Sequence, residues 1–176
     1  MITRLLFTTF LLTACFTLTN AQDSKKEKII ADSKEAKTEF IKADGQMANL
    51  FNKAYGYVIF PNVGKGGFGV GGAAGNGIAY ERGKMTGSAK LSQLSIGLQA
   101  GGQAYREVIF FETAKAMERF KDSSLEFSAQ VSAVAVKSGA SANAKYQDGV
   151  MVFTMQKGGL MYEASVGGQK FKYEKF

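Results

Sequence analysis

The sequence has no histidine and no tryptophan, and only one cysteine and one proline in 176 residues. Without histidine there is no Ser-His-Asp triad, no Cys-His pair and no imidazole base. A lone cysteine, Cys15, closes no disulfide within the chain and builds no zinc finger, ribbon or knuckle. Carboxylates, lysine, tyrosine and backbone are what remain for chemistry. That set favours binding over catalysis, and a non-enzyme with no cofactor and no metal is expected. What the chain does have is apolar mass, at 45% hydrophobic residues, and 21 glycines. This is enough for one domain with a core of its own.

Residues 1–21 have the form of an export signal. Arg4 supplies the positive start, and Leu5 to Leu18 is apolar apart from threonines and Cys15. Thr19-Asn20-Ala21 gives a small-residue cleavage site before Gln22. The stretch is short for a bilayer span and runs directly into the charged residues Asp23 to Lys28. Leu12-Thr13-Ala14-Cys15 offers a competing cut of lipobox form, in which Cys15 would be acylated. Phe16 and Leu18 favour the conventional cut, because a lipoprotein turns polar after its cysteine. Either cut places the mature chain in the periplasm or cell envelope, with outer-membrane association as one option. The expected division is a signal at 1–21, a helical segment at 22–54 and a β-rich remainder of the same domain at 55–176.

The net charge is +7, and the excess is uneven. Residues 22–54 hold seven lysines against six acids, whereas 55–176 hold 14 Lys and Arg against nine Asp and Glu. For an exported chain, that excess points first to anionic lipid headgroups. Nucleic acid is not expected as a partner, although Tyr80, Tyr105, Tyr146 and Tyr173 lie close in sequence to Arg82, Arg106, Lys145 and Lys172.

Apolar and small residues recur at three-four spacing at Ile29, Ser33, Ala36, Phe40, Ala43, Met47, Leu50 and Ala54. This predicts helix, packed on the rest of the domain along that stripe, with Asp44-Gly45 dividing it into two. Balanced charge on the flanks argues against a membrane-lying helix, which is usually basic on its polar face. From Tyr55 onward the pattern is β. A first strand is expected from Tyr55 to Phe60, stopped by a turn at Pro61-Asn62. Short strands follow at 68–70, 77–81 and 85–90, with a hairpin turn at Arg82-Gly83. Alternation then marks 94–100 and 127–135, and a buried strand marks 107–111. Thr113 is placed to cap a helix over 114–121. A closing meander is expected at 150–156, 160–166 and 170–174, with turns at Lys157-Gly158-Gly159 and Gly167-Gly168. The fold class is therefore α+β. An N-terminal helix or helix pair packs on a strongly curved, Gly-rich antiparallel sheet or barrel-like core, with one further short helix.

Residues 64–77 hold eight glycines, and Gly67 to Gly72 satisfy G-x-G-x-x-G. A dinucleotide site needs a helix after the loop, and here Gly75-Asn76-Gly77 and a strand follow instead. Lys65 is followed by Gly66, not by the Ser or Thr of a Walker loop, and no kinase catalytic loop is present. The glycines read as structural. The acids Glu81, Glu107 and Glu118 each stand beside an arginine, and they read as solvated surface, not as a glycosidase pair.

A family resemblance emerges from several stretches in order. Lys53-Ala54-Tyr55-Gly56-Tyr57-Val58-Ile59-Phe60-Pro61 resembles the K-A-K-G-hydrophobic-F-P opening of the SYLF domain family, also called the yeast actin-patch or Las-seventeen-binding type. Val63, Lys65, Gly67, Phe68 and Gly69 match its V-x-K-x-G-F-G stretch. The Gly-rich hairpin Gly75 to Gly83, the strand Leu94 to Gly102 and Val108-Ile109-Phe110-Phe111 follow. Thr113 to Phe120 resembles its T-x-x-A-hydrophobic-x-x-F helix. Lys157 to Gly168 resembles its closing signature, with Glu163-Ala164 where a glycine is usual. The resemblance spans roughly residues 30–175.

Eukaryotic members of the family bind phosphoinositides and negatively charged membranes, and some bind actin. Short exported bacterial members are the nearer likeness, and neither phosphoinositides nor actin is expected in a bacterial envelope. The resemblance thus implies a noncatalytic domain engaging anionic lipid. Its matching position is Lys65, flanked by glycines that would leave the ammonium reachable. Arg82 and Lys84, at what reads as the adjacent turn, are the further lipid-binding candidates. The alternative is an envelope protein-interaction or structural module with incidental lipid contact.

Overall fold

A computed structural model describes residues 2–68, 70–96, 101–123, 125–127, 133–157 and 166–176, with side chains from Asp23 onward. Two helices lead: α1, Ile2–Ala43, and α2, Met47–Lys53. They break at Asp44-Gly45 as the sequence predicts. Asp44 is only 3% exposed. One of its oxygens accepts from the Gln46 backbone N–H at 3.1 Å, and the other accepts from Ser141 N and Oγ at 2.8 and 2.7 Å. This carboxylate ties the helix corner to the short 3-10 helix Ala140–Asn143.

Among the described residues, seven strands and one further α-helix follow. They are β1 Gly56–Phe68, β2 Val70–Glu81, β3 Lys84–Ile96, β4 Gly101–Phe111, α3 Ala114–Lys121, β5 Val134–Ala135, β6 Val150–Gln156 and β7 Gln169–Lys175. They form one open sheet of order β5-β6-β4-β1-β2-β3-β7, antiparallel except for β5 with β6.

Each face of the sheet has its own core. Strand alternation sends Tyr57, Ile59, Ile78, Tyr80, Val108, Phe110 and Phe153 to one face, where Ala36, Phe40, Met47 and Phe51 of the helix pair cover them. Phe51 packs edge-on against Phe110 at 4.9 Å, and Tyr57 stacks on Tyr80 at 4.9 Å. Burying each of these rings stabilises the fold by roughly 2–3 kcal/mol. The predicted helical stripe is thus a packing stripe from Ile29 to Ala54. The opposite, inner face carries Val58, Phe60, Val63, Leu91, Ile109, Phe111 and Phe171, closed by Met117 and Phe120 of α3. Thr113 caps α3 as expected, its hydroxyl accepting from Ala116 N at 3.2 Å. The sheet curls enough for β7 to reach across this face, with Phe171 6.0 Å from Phe60.

The strands are longer than the sequence suggests. Pro61-Asn62 does not stop β1. It forms a bulge, the ladder to β2 shifting register between Ile59 and Asn62. A bulge is where a central strand tolerates proline. It presses Phe60 onto the opposing strand: a Cβ at Gly77 would sit 2.5 Å from the Ile59 carbonyl and 2.7 Å from the Phe60 ring. Gly87 is confined in the same way by Tyr173 and the Glu174 carbonyl. The glycine-rich stretch is therefore continuous β1–β2 ladder, pairing as far as Phe68 and Val70. The turn at Arg82-Gly83 is found, both residues having positive φ, at 50° and 77°. Gly168 turns into β7 at φ 76°. The predicted strand 160–166 lies outside the described residues up to 165, as do 97–100 and 128–132.

Among the described residues, no helix is long and apolar enough to cross a membrane. The side chain of Cys15 lies outside the description.

Candidate functional site

The sequence places Lys65, Arg82 and Lys84 together at open turns, and the structure separates them. Because β1 continues through its bulge, Lys65 is mid-strand, opposite Gln103 on β4 and Ala73 on β2. It shares the inner face with Val63 and is only 8% exposed, in a strand and not on an open glycine loop. It makes no ion pair among the described residues. Arg82 and Lys84 are exposed at the far end of the strands. Nine residues separate Arg82 from Ala73, the partner of Lys65, a span of about 30 Å.

The turn carrying Arg82 and Lys84 is tied down. Arg82 lies over the Tyr55 ring, 5.1 Å from its centroid. The Tyr55 hydroxyl donates to Glu81 at 2.7 Å, and Lys121 of α3 bridges Glu81 and Glu118. Hydrogen bonds from Lys121 and Tyr55 hold the Glu81 carboxyl below its ordinary range. Lys121 loses to burial but gains more from its two carboxylates, and its ammonium is pushed up to about 12. Lys84 stands opposite Glu81 in the ladder. The local positive charge here is largely compensated.

A second cationic surface was not singled out from sequence. On the outer face of the β3–β7 ladder, Lys90 and Lys172 stand directly opposite one another, and Lys170 follows two residues along β7. All three are exposed. Like charges directly opposite in a ladder destabilise it. Lys90 and Lys172 make no ion pair among the described residues, although Glu174 shares their face two residues along β7, while Lys170 has a loose contact with exposed Glu126 at 3.5 Å. Leu94, on the same face of β3, is 74% exposed. A groove of about 510 Å³ runs here, lined by Asn62, Asn76 and the three lysines. The period-two spacing of Lys170 and Lys172 is visible in the sequence. Their pairing with Lys90 needs the strand order.

The acids also redistribute. Arg106 and Glu107 are not one solvated pair, because neighbours on a strand point to opposite faces. Arg106 reaches Glu35 of α1 at 3.4 Å. Glu107 is 0% exposed inside the sheet, its Oε2 accepting from Gln169 Nε2 at 2.9 Å. Burial, partly offset by that hydrogen bond, pushes its carboxyl up to about 8. Tyr80 and Tyr105 are buried and present no stacking surface. Among the described residues no three His, Cys, Asp or Glu gather as a metal site would require.

The structure so far defines an α+β domain with a helix pair on one face of an open curved sheet and a cationic strip on its β3–β7 edge. Residues 92–175 match the Ysc84 family, described as Las17-binding protein actin regulator. That stretch, from within β3 to the end of β7, is the part of the chain that this family model matches, in agreement with the SYLF likeness read from the sequence. Beta cell expansion factor A of Aeromonas veronii is 32% identical over 157 residues, which is 85% of this chain and 59% of that protein.

Proposed function

We propose that this is a noncatalytic domain that engages anionic membrane lipids of the cell envelope. The observation that carries this reading is the Lys90–Lys172 cross-strand pair, extended by Lys170 and set beside exposed Leu94. Two unpaired ammonium groups held side by side cost stability in the lone chain, and an anionic surface offsets that cost. The likeness to a family associated with lipid binding supports the same reading. Lys84 lies six residues from Lys90 along β3, about 20 Å, and it and Arg82 serve at most as a second contact, because Glu81 already faces them.

Vesicle co-sedimentation tests this, comparing neutral with anionic vesicles at low and high salt. A lysine near an anionic surface contributes about 1 kcal/mol, so replacing Lys90 and Lys172 by alanine weakens binding about 30-fold. Binding that fades with salt and with these substitutions is the expected result. Equal binding to neutral vesicles, unchanged by salt, contradicts it. A second reading, a protein-interaction module of the envelope, rests on the family description, which names a protein partner. It predicts a stable complex and no sedimentation with any vesicle.

A further inference from the structure

Glu107 plays no part in the surface just described, yet its setting is unusual. It lies on the inner face of β4, opposite Phe60 of β1 and Thr154 of β6. Its one hydrogen bond among the described residues comes from Gln169, and its Oε1 has no partner. Gln169 is also 0% exposed, its own Oε1 is unpartnered, and its amide nitrogen lies 3.4 Å from the Tyr105 hydroxyl. In the sheet order three strands separate β4 from β7. The Glu107–Gln169 bond therefore spans the interior and does not run along a ladder.

Among the described residues no cation faces Glu107, and Tyr105, two residues away on the same face, is a titratable neighbour whose hydroxyl is pushed up by burial and by Glu107. Lys65 of β1 is inward-facing too, but it pairs in register with Gln103, four residues and about 13 Å along β4. On β7, Lys170 and Lys172 point outward. On α3, Lys121 is turned to Glu81 and Glu118, and Arg119 to the Asp148 carbonyl. β6 presents Thr154, and β3 presents Gln93, whose amide is bonded to the Gly167 carbonyl at 2.8 Å. Among the described residues a carboxylate here has no counter-charge, so it must be neutral or be reached by water.

We propose that Glu107 and Gln169 form a proton-dependent latch that holds β7 against β4 across the sheet interior. With Glu107 protonated the latch is closed. On ionisation, water reaches the carboxylate by the route of least resistance, displacement of β7. Among the described residues that strand is at the edge of the sheet, with β3 as its one full ladder. Its release uncovers Phe171, which packs on Phe60 and Phe127. Burial raises the carboxyl to about 8, so the acid stays protonated below that value and opening comes as the pH rises through it.

Hydrogen–deuterium exchange of the full chain between pH 6 and 9, corrected for intrinsic rates, tests this. Protection of residues 169–175 is expected to fall at least 10-fold across the range, while the β1–β2 ladder keeps its protection. Glu107→Gln, which cannot ionise, is expected to remove the fall. Equal loss in the variant, or loss over the whole sheet at once, overturns the latch. Carbon-13 titration of the glutamate carboxyls in the unaltered chain covers the case in which the variant does not fold. A carboxyl titrating near 8 together with β7 resonances supports the proposal. Glu107 titrating in the ordinary glutamate range overturns it.

Discussion

Replacing Gly77 by alanine tests the account of the bulge with the least ambiguity. The added Cβ would meet the Ile59 carbonyl at 2.5 Å and the Phe60 ring at 2.7 and 3.0 Å. Neither can yield easily. Ile59 is fixed in ladders to both β2 and β4, and Phe60 is fully buried. Ordinary contact requires the two strands to part by more than half an ångström at the centre of the sheet. Overpacking of this kind costs about 1–3 kcal/mol, a large part of a small domain's stability. Gly64→Ala is the control, since a Cβ there meets nothing within 4 Å. It should change stability by less than about 0.5 kcal/mol. The assay is urea unfolding of both variants beside the parent, followed by far-ultraviolet circular dichroism. Equal midpoints for Gly77→Ala and the parent would refute the argument that the bulge sets the glycine at 77.

Two further outcomes follow from buried charges. Asp44→Ala should cost about 2–3 kcal/mol by unfolding, because three backbone and hydroxyl donors lose a buried charged acceptor. Burial raises the Asp44 carboxyl, but the hydrogen bonds from Ser141 and Gln46 outweigh it and hold the group below the ordinary aspartate range. Its contribution is therefore present above the ordinary aspartate range and lost as pH falls through the depressed value, and acid unfolding of the variant should lack that component. Lys65→Met should leave stability unchanged or raised, since a largely buried side chain with no ion pair among the described residues gives way to an apolar chain of similar length. It should also leave vesicle binding unchanged, and a loss of binding would return Lys65 to the lipid surface.

Local signals carried far in this sequence. The three-four stripe, the break at Asp44-Gly45, the Thr113 cap and the Arg82-Gly83 turn each depend on residues within one or two turns of chain, and each is found where expected. The strand lengths did not follow, because proline and clustered glycine are punctuation in most contexts. Here Pro61 occupies a bulge, and the glycines are ladder residues crowded by an opposing strand. That one difference moved Lys65 from an open loop to the inner face. Glu107 was misplaced for a related reason, since an acid beside an arginine reads as solvated surface, whereas a strand sends the two to opposite sides. The Lys90–Lys172 pair joins residues 82 positions apart, and only the β3–β7 pairing brings them together.

The central claim is that the β3–β7 lysine face meets anionic lipid. The most direct measurement compares binding to anionic vesicles for Lys90→Glu/Lys172→Glu with that for Arg82→Glu/Lys84→Glu, two variants of equal net charge. The account predicts that the first pair of substitutions abolishes binding and that the second weakens it only slightly. Equal losses from both, which net charge alone would produce, or a greater loss from the second, would contradict it.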